Sequence, residues 1–96
     1  MKRIDIIINR AVDEDLLSML KKYDVGKFFT KFINVNGVGT SGPHMNDETW
    51  PEVNIVYVIY CNDEEANKIK TAVHELKEYF KDEGIKLFES IITDVI

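Results

Sequence analysis

Between its second and third apolar runs the chain carries Asn36-Gly37-Val38-Gly39-Thr40-Ser41-Gly42-Pro43-His44-Met45-Asn46-Asp47-Glu48-Thr49-Trp50-Pro51, and most of its candidate chemistry lies there. His44 is a base near neutral pH, Asp47 and Glu48 are two carboxylates, and Trp50 is a large amphipathic ring. Gly37, Gly39 and Gly42 allow positive φ and close backbone approach, and a glycine-rich turn of this kind can cradle an anion through its N–H groups. Gly37, Gly39, Thr40, Ser41, Gly42, His44 and Trp50 are therefore the candidate ligand-binding set. The glycines neither precede a helix nor carry a P-loop lysine, so a hairpin needing positive φ is the plain alternative. The nearby cations are Lys27, Lys31 and Lys86. His44 with Asp47 and Glu48 offers donors for a divalent cation, although their spacing matches no established metal motif. A loop this long in so small a chain is usually a binding element or disordered.

The remaining reactive side chains argue against catalysis. Cys61 ends a strongly apolar run, where a thiol serves as a small core residue. His74 falls opposite the apolar stripe of its helix, and neither residue has a sequence partner that would make a Cys–His pair. A ferredoxin-like enzyme using His44 as general base lacks a second positioned group. The expected function is binding, not an enzymatic reaction, and no particular cofactor is implied.

Composition narrows the class further. Ninety-six residues, 45% of them hydrophobic, predict a single domain over 1–96 whose core has little stability to spare, so oligomerisation would help. A net charge of -5 disfavours nucleic acid, whose binding draws on neutralised phosphates. With one cysteine no intrachain disulfide is possible, and Met1-Lys2-Arg3-Ile4-Asp5 does not open a signal peptide; a reducing cytoplasmic location is expected. The apolar run Ile55 to Cys61 is too short to cross a bilayer, so no direct membrane insertion is expected.

The elements that must position the loop follow from periodicity. Ile4, Ile6 and Ile8 alternate with polar residues, predicting a strand over 3–9. Val12, Leu16, Leu20 and Tyr23 then share a helical face, with Asp13 nominated as N-cap and Lys21 and Lys22 at the C-terminal end. Phe28 to Val35 is aromatic and β-branched, a second strand after the breaker Gly26. Val53 to Cys61 is apolar at nearly every position, as a strand buried on both faces requires. Asn62 and Glu65 form a capping-box pattern ahead of the stripe Ala66, Ile69, Val73, Leu76 and Phe80. After Gly84, residues 85–96 read as a fourth strand.

This order predicts an α+β, ferredoxin-like βαββαβ fold, a four-stranded antiparallel sheet with two helices on one face. The second and third strands carry apolar groups on both faces: Phe29, Ile33 and Val35 against Phe28 and Phe32, and Ile55, Tyr57 and Ile59 against Val56, Val58 and Tyr60. The helices cover one face only, so a symmetric oligomer is expected to bury the other.

With that fold, three motifs give the chain a family resemblance. Gly37-x-Gly39-x-x-Gly42-x-His44 closes the second strand, Pro51-Glu52-Val53-Asn54-Ile55 enters the third, and Asn62-Asp63-Glu64-Glu65-Ala66 opens the second helix. In order and spacing they resemble the nitrogen-regulatory PII signalling proteins and their wider PII-like superfamily, over nearly the whole chain. The resemblance implies a homotrimer that binds a small-molecule effector, in many members an adenine nucleotide, in clefts between subunits. It also implies that residues 36–51 correspond to the T-loop, which grips a transporter or enzyme partner. The chain departs from the family where a Gly-Asp-Gly-Lys-type turn is replaced by Lys81-Asp82-Glu83-Gly84-Ile85-Lys86, and no basic segment follows within the 96 residues. Weak or absent binding of ATP and ADP is expected from those departures. The loop has no tyrosine, so nucleotidylation there has no acceptor. A CutA-like trimer binding a divalent metal through His44, Asp47 and Glu48 is the alternative reading.

Overall fold

The computed structural model describes residues 1–38 and 52–96. Strand β1 (Lys2–Asn9) leads through a 3-10 turn (Arg10–Val12) into helix α1 (Asp13–Lys22), followed by β2 (Thr30–Gly37), β3 (Glu52–Cys61), helix α2 (Asp63–Tyr79) and β4 (Ile85–Ile91). The sheet is four-stranded in the order β2-β3-β1-β4, and every neighbouring pair is antiparallel. This is the ferredoxin-like α+β arrangement expected from the sequence.

Register assigns the faces. Ile4, Ile6 and Ile8 lie opposite Ile59, Tyr57 and Ile55, and all six are buried beneath the helices. From above, α1 contributes Leu16 and Leu20, and α2 contributes Ala66, Ile69, Ala72, Val73 and Leu76. Each large aliphatic side chain taken out of water here adds roughly 1.5–3 kcal/mol before entropy is counted. The other face carries Asp5 opposite Val58, Ile7 opposite Val56 and Arg3 opposite Tyr60.

Several features differ from the sequence expectations, beginning with β2, expected over Phe28 to Val35 and found at Thr30–Gly37. The last strand stops at Ile91 because Ile91 pairs with Lys2, where its partner β1 begins; beyond it, Ile92 N–H donates to the Met1 carbonyl at 3.0 Å. In β2 the register advances from Phe32↔Val56 to Val35↔Asn54, so one extra residue is inserted at Ile33–Asn34, with Asn34 at φ 57°. This bulge puts Val35 on the same face as Phe32, correcting the simple alternation that grouped Val35 with Phe29 and Ile33. Finally, Asp13 is not an N-cap. Asn9 caps the 3-10 turn by accepting from Ala11 N–H at 2.9 Å, Val12 precedes α1 without a side-chain cap, and the Asp13 carboxylate turns elsewhere.

Helix α2 begins with half of the expected capping box. Asn62 Oδ1 accepts from Glu65 N–H at 2.8 Å, whereas the Glu65 carboxylate accepts from Gly26 N–H at 3.0 Å. Gly26 sits at φ +65°, and a Cβ there would lie 3.2 Å from Leu20 Cδ1. That glycine lets the α1–β2 turn close against both helices. Among the described residues, no helix is long and apolar enough to cross a membrane.

Candidate functional site

The loop that concentrates the candidate chemistry is anchored where β2 ends and β3 begins. Gly37 pairs with Glu52 and Val35 with Asn54. A Cβ on Gly37 would lie 2.4 Å from Asn54 Nδ2, so a side chain there requires the Asn54 amide to swing aside. Among the described residues, positive φ is found at Asp24, Gly26 and Asn34 and not at Gly37; Gly39 and Gly42 lie outside them. Gly39, Thr40, Ser41, Gly42, His44, Asp47, Glu48 and Trp50 lie outside the described residues. Among the described residues, no three His, Cys, Asp or Glu side chains come together as a metal site.

Antiparallel pairing brings further groups to the loop end of the sheet. Asn9, opposite Asn54, donates its N–H to the Gly84 carbonyl at 2.9 Å, joining the end of β1 to the turn before β4. The cations nominated from sequence are dispersed. Lys27 is ion-paired with Asp24 at 3.0 Å, on the turn at the other end of the sheet, and Lys86 is exposed opposite Ile7 on the face away from the helices. Lys31 Nζ lies 2.7 Å from Asp13 Oδ2 and 5.3 Å from the Tyr57 ring centre.

Asp13 also accepts from the Tyr57 hydroxyl. Tyr57 is wholly buried, and burial first, then the bond to Asp13, pushes its pKa up to about 12. The phenol therefore stays a donor throughout the neutral range. Asp13 raises the Lys31 pKa through their hydrogen bond, so the ammonium stays charged. Phe29 closes the cluster edge-on to Tyr57, with ring centres 5.0 Å apart. Sequence reading missed this cluster because Asp13 and Tyr57 are 44 residues apart; the available signal was a tyrosine hydroxyl in the middle of a strongly apolar strand, which needs an acceptor when buried.

Two sequence assignments are placed directly. Cys61 is buried, and desolvation pushes its thiol pKa up, as befits a core residue rather than a nucleophile. His74 is exposed on α2. An open cleft of about 320 Å³, unforeseen from the sequence, lies at the far end of the sheet between the α1–β2 turn and the start of α2. It is lined by Lys27, Phe28, Asn62, Glu64, Glu65 and Lys68 among others, and Phe28 is 87% exposed beside it.

Residues 1–96 match the family described as Nitrogen regulatory protein P-II. The chain belongs to that family. Solved PII-like proteins carry the same fold at low identity. One is CPII, a nitrogen regulatory PII-like protein from Thiomonas intermedia K12, in a structure bound to ADP, AMP and bicarbonate; it is 19% identical, with a TM-score of 0.68 over 93% of this chain and 86% of that one. A second CPII structure, bound to ADP, AMP and acetate, is 23% identical, with a TM-score of 0.66 over 92% of this chain and 81% of that one. A PII-like signaling protein from Thermus thermophilus is 21% identical, with a TM-score of 0.63 over 93% and 83% of the two chains. A search of curated proteins returned no match. In PII terms, the Gly37–Asn54 closure marks the base of the segment that the sequence resemblance equates with the T-loop.

Proposed function

We propose that this PII-family chain is a cytoplasmic regulatory protein, not an enzyme, that assembles as a homotrimer and binds a small effector in clefts between subunits. Effector binding changes residues 36–51, which act on a transporter or enzyme partner. The observation that carries the reading is the pairing of Gly37 with Glu52 and Val35 with Asn54, which brings the two ends of the polar segment 39–51 together at one end of a sheet whose other face the described residues leave uncovered. On that face Phe32, Tyr60 and Phe88 are 53%, 53% and 55% exposed around Val56 and Val58, an apolar surface suited to symmetric burial.

The ligands in the CPII structures make ADP, AMP and bicarbonate the first probes. Residues 81–86 lack the paired glycines of a Gly-Asp-Gly-Lys-type turn, so the nucleotides alone are expected to bind more weakly than about 1 μM, equivalent to roughly -8 kcal/mol. Calorimetry with each compound singly and in pairs, followed in parallel by Trp50 fluorescence, tests the reading. Saturable heat accompanied by a Trp50 change supports effector sensing through the loop. Absence of both for every probe overturns these compounds as effectors, and tight binding by a monomer overturns the clefts.

A further inference from the structure

We propose that Asp13, Tyr57 and Lys31 form a positioning unit that fixes the base of the effector loop by locking edge strand β2 to the α1 corner. The proposal rests on the reading of 36–51 as the effector loop. Among the described residues, strand β2 pairs along one side only, with β3, and its ladder is interrupted by the bulge at Ile33–Asn34. Most of its side chains are exposed, so little apolar burial holds it. A strand of this kind opens locally more readily than the core around it.

Among the described residues, the Asp13 carboxylate ties β2 to the helical layer. Asp13 sits where the 3-10 turn becomes α1, its side chain only 17% exposed, and it accepts from both Lys31 Nζ on β2 and the Tyr57 hydroxyl on β3. Lys31 packs over the Tyr57 ring, and Phe29 meets the same ring edge-on just before the strand begins. The three polar groups satisfy one another: a buried phenol that must donate, an ammonium, and a carboxylate that accepts from both. Removal of any one leaves another without its partner at a half-buried site. Because Lys31 lies only six residues before Gly37 on the same strand, a shift of the lock moves the strand end that closes on Asn54.

Hydrogen exchange on the full-length protein, without any ligand, tests the lock. Tyr57→Phe removes only the hydroxyl and keeps the ring packing; Lys31→Met keeps the stem and removes the charge; Lys31→Arg retains a donor and serves as the rescue. Loss of one such bond is expected to speed exchange of the hydrogen-bonded amides in 30–37 about tenfold, with 4–8 and 66–76 changing less than about twofold. Trp50 fluorescence anisotropy should fall in the same two variants and stay near wild type in Lys31→Arg. Equal acceleration in all elements would make the cluster merely structural and overturn the proposal, as would unchanged exchange in 30–37. Faster exchange in β2 with unchanged Trp50 anisotropy would overturn the coupling to the loop. None of these readouts needs an effector, so failure of the effector reading and failure of the lock are separately visible.

Discussion

Replacing Phe88 by Ala tests whether the uncovered sheet face is the subunit interface. Phe88 lies opposite Asp5 on that face and is 55% exposed in the single chain. A phenylalanine presents roughly 200 Å², so about 100 Å² of ring remains for a neighbouring subunit to cover. At about 25 cal/mol/Å², its burial contributes about 2.5 kcal/mol per subunit, an upper estimate since part of the area stays as alanine. Three symmetric copies then contribute roughly 7 kcal/mol per trimer, or about five decades in a dissociation constant that carries units of concentration squared. The concentration at which half the trimer dissociates rises with the square root of that constant, by roughly 300-fold. Sedimentation velocity over a dilution series measures the shift. Tyr79→Ala is the control, being 70% exposed on α2 and remote from the face. An unchanged midpoint for Phe88→Ala, or an equal shift for Tyr79→Ala, refutes the assignment of the interface.

Other consequences follow from single side chains. Gly26→Ala imposes a Cβ at φ +65° beside Leu20 and should lower stability by about 1–2 kcal/mol in denaturant unfolding. In a spectrophotometric titration one tyrosine should ionise only near pH 12, and Tyr57→Phe should remove that step. Hydrogen bonds from Lys22 and then Tyr23 lower the Glu75 pKa, and Lys70 lowers that of Glu89. The unfolded chain therefore takes up protons first as pH falls. The stability from both carboxylates is complete above the ordinary carboxylate range and is lost as pH drops through their folded values, and added salt should blunt the dependence in acid unfolding curves. Cys61 should react with a thiol reagent only at the rate of unfolding, since it is buried and its thiol is shifted upward.

The fold was legible where a local pattern decides it. Alternation in Ile4, Ile6 and Ile8, the continuous apolar run of β3, and the 3.6-residue stripe from Ala66 to Leu76 are each readable within a single element. What the sequence did not reveal depends on partners far along the chain. The bulge at Ile33–Asn34 is defined by the pairing of Phe32 and Val35 with β3, and Asn34, at φ 57°, is the one local residue suited to it. Glu65 resembled half of a capping box, yet its carboxylate goes to Gly26, 39 residues away. Asp13 looked like a helix cap for want of any visible competitor, and the buried hydroxyl of Tyr57 is that competitor. For the site, Gly37 is the one candidate ligand-binding residue within the described residues, and its neighbour there is the Asn54 amide.

Native mass spectrometry, with and without the effectors proposed above, reads assembly and ligand occupancy in one spectrum. The account predicts a species of three times the 11.1 kDa chain mass, gaining up to three bound molecules on addition of effector. A species of single-chain mass at micromolar concentration, or a trimer that takes up none of them, contradicts it.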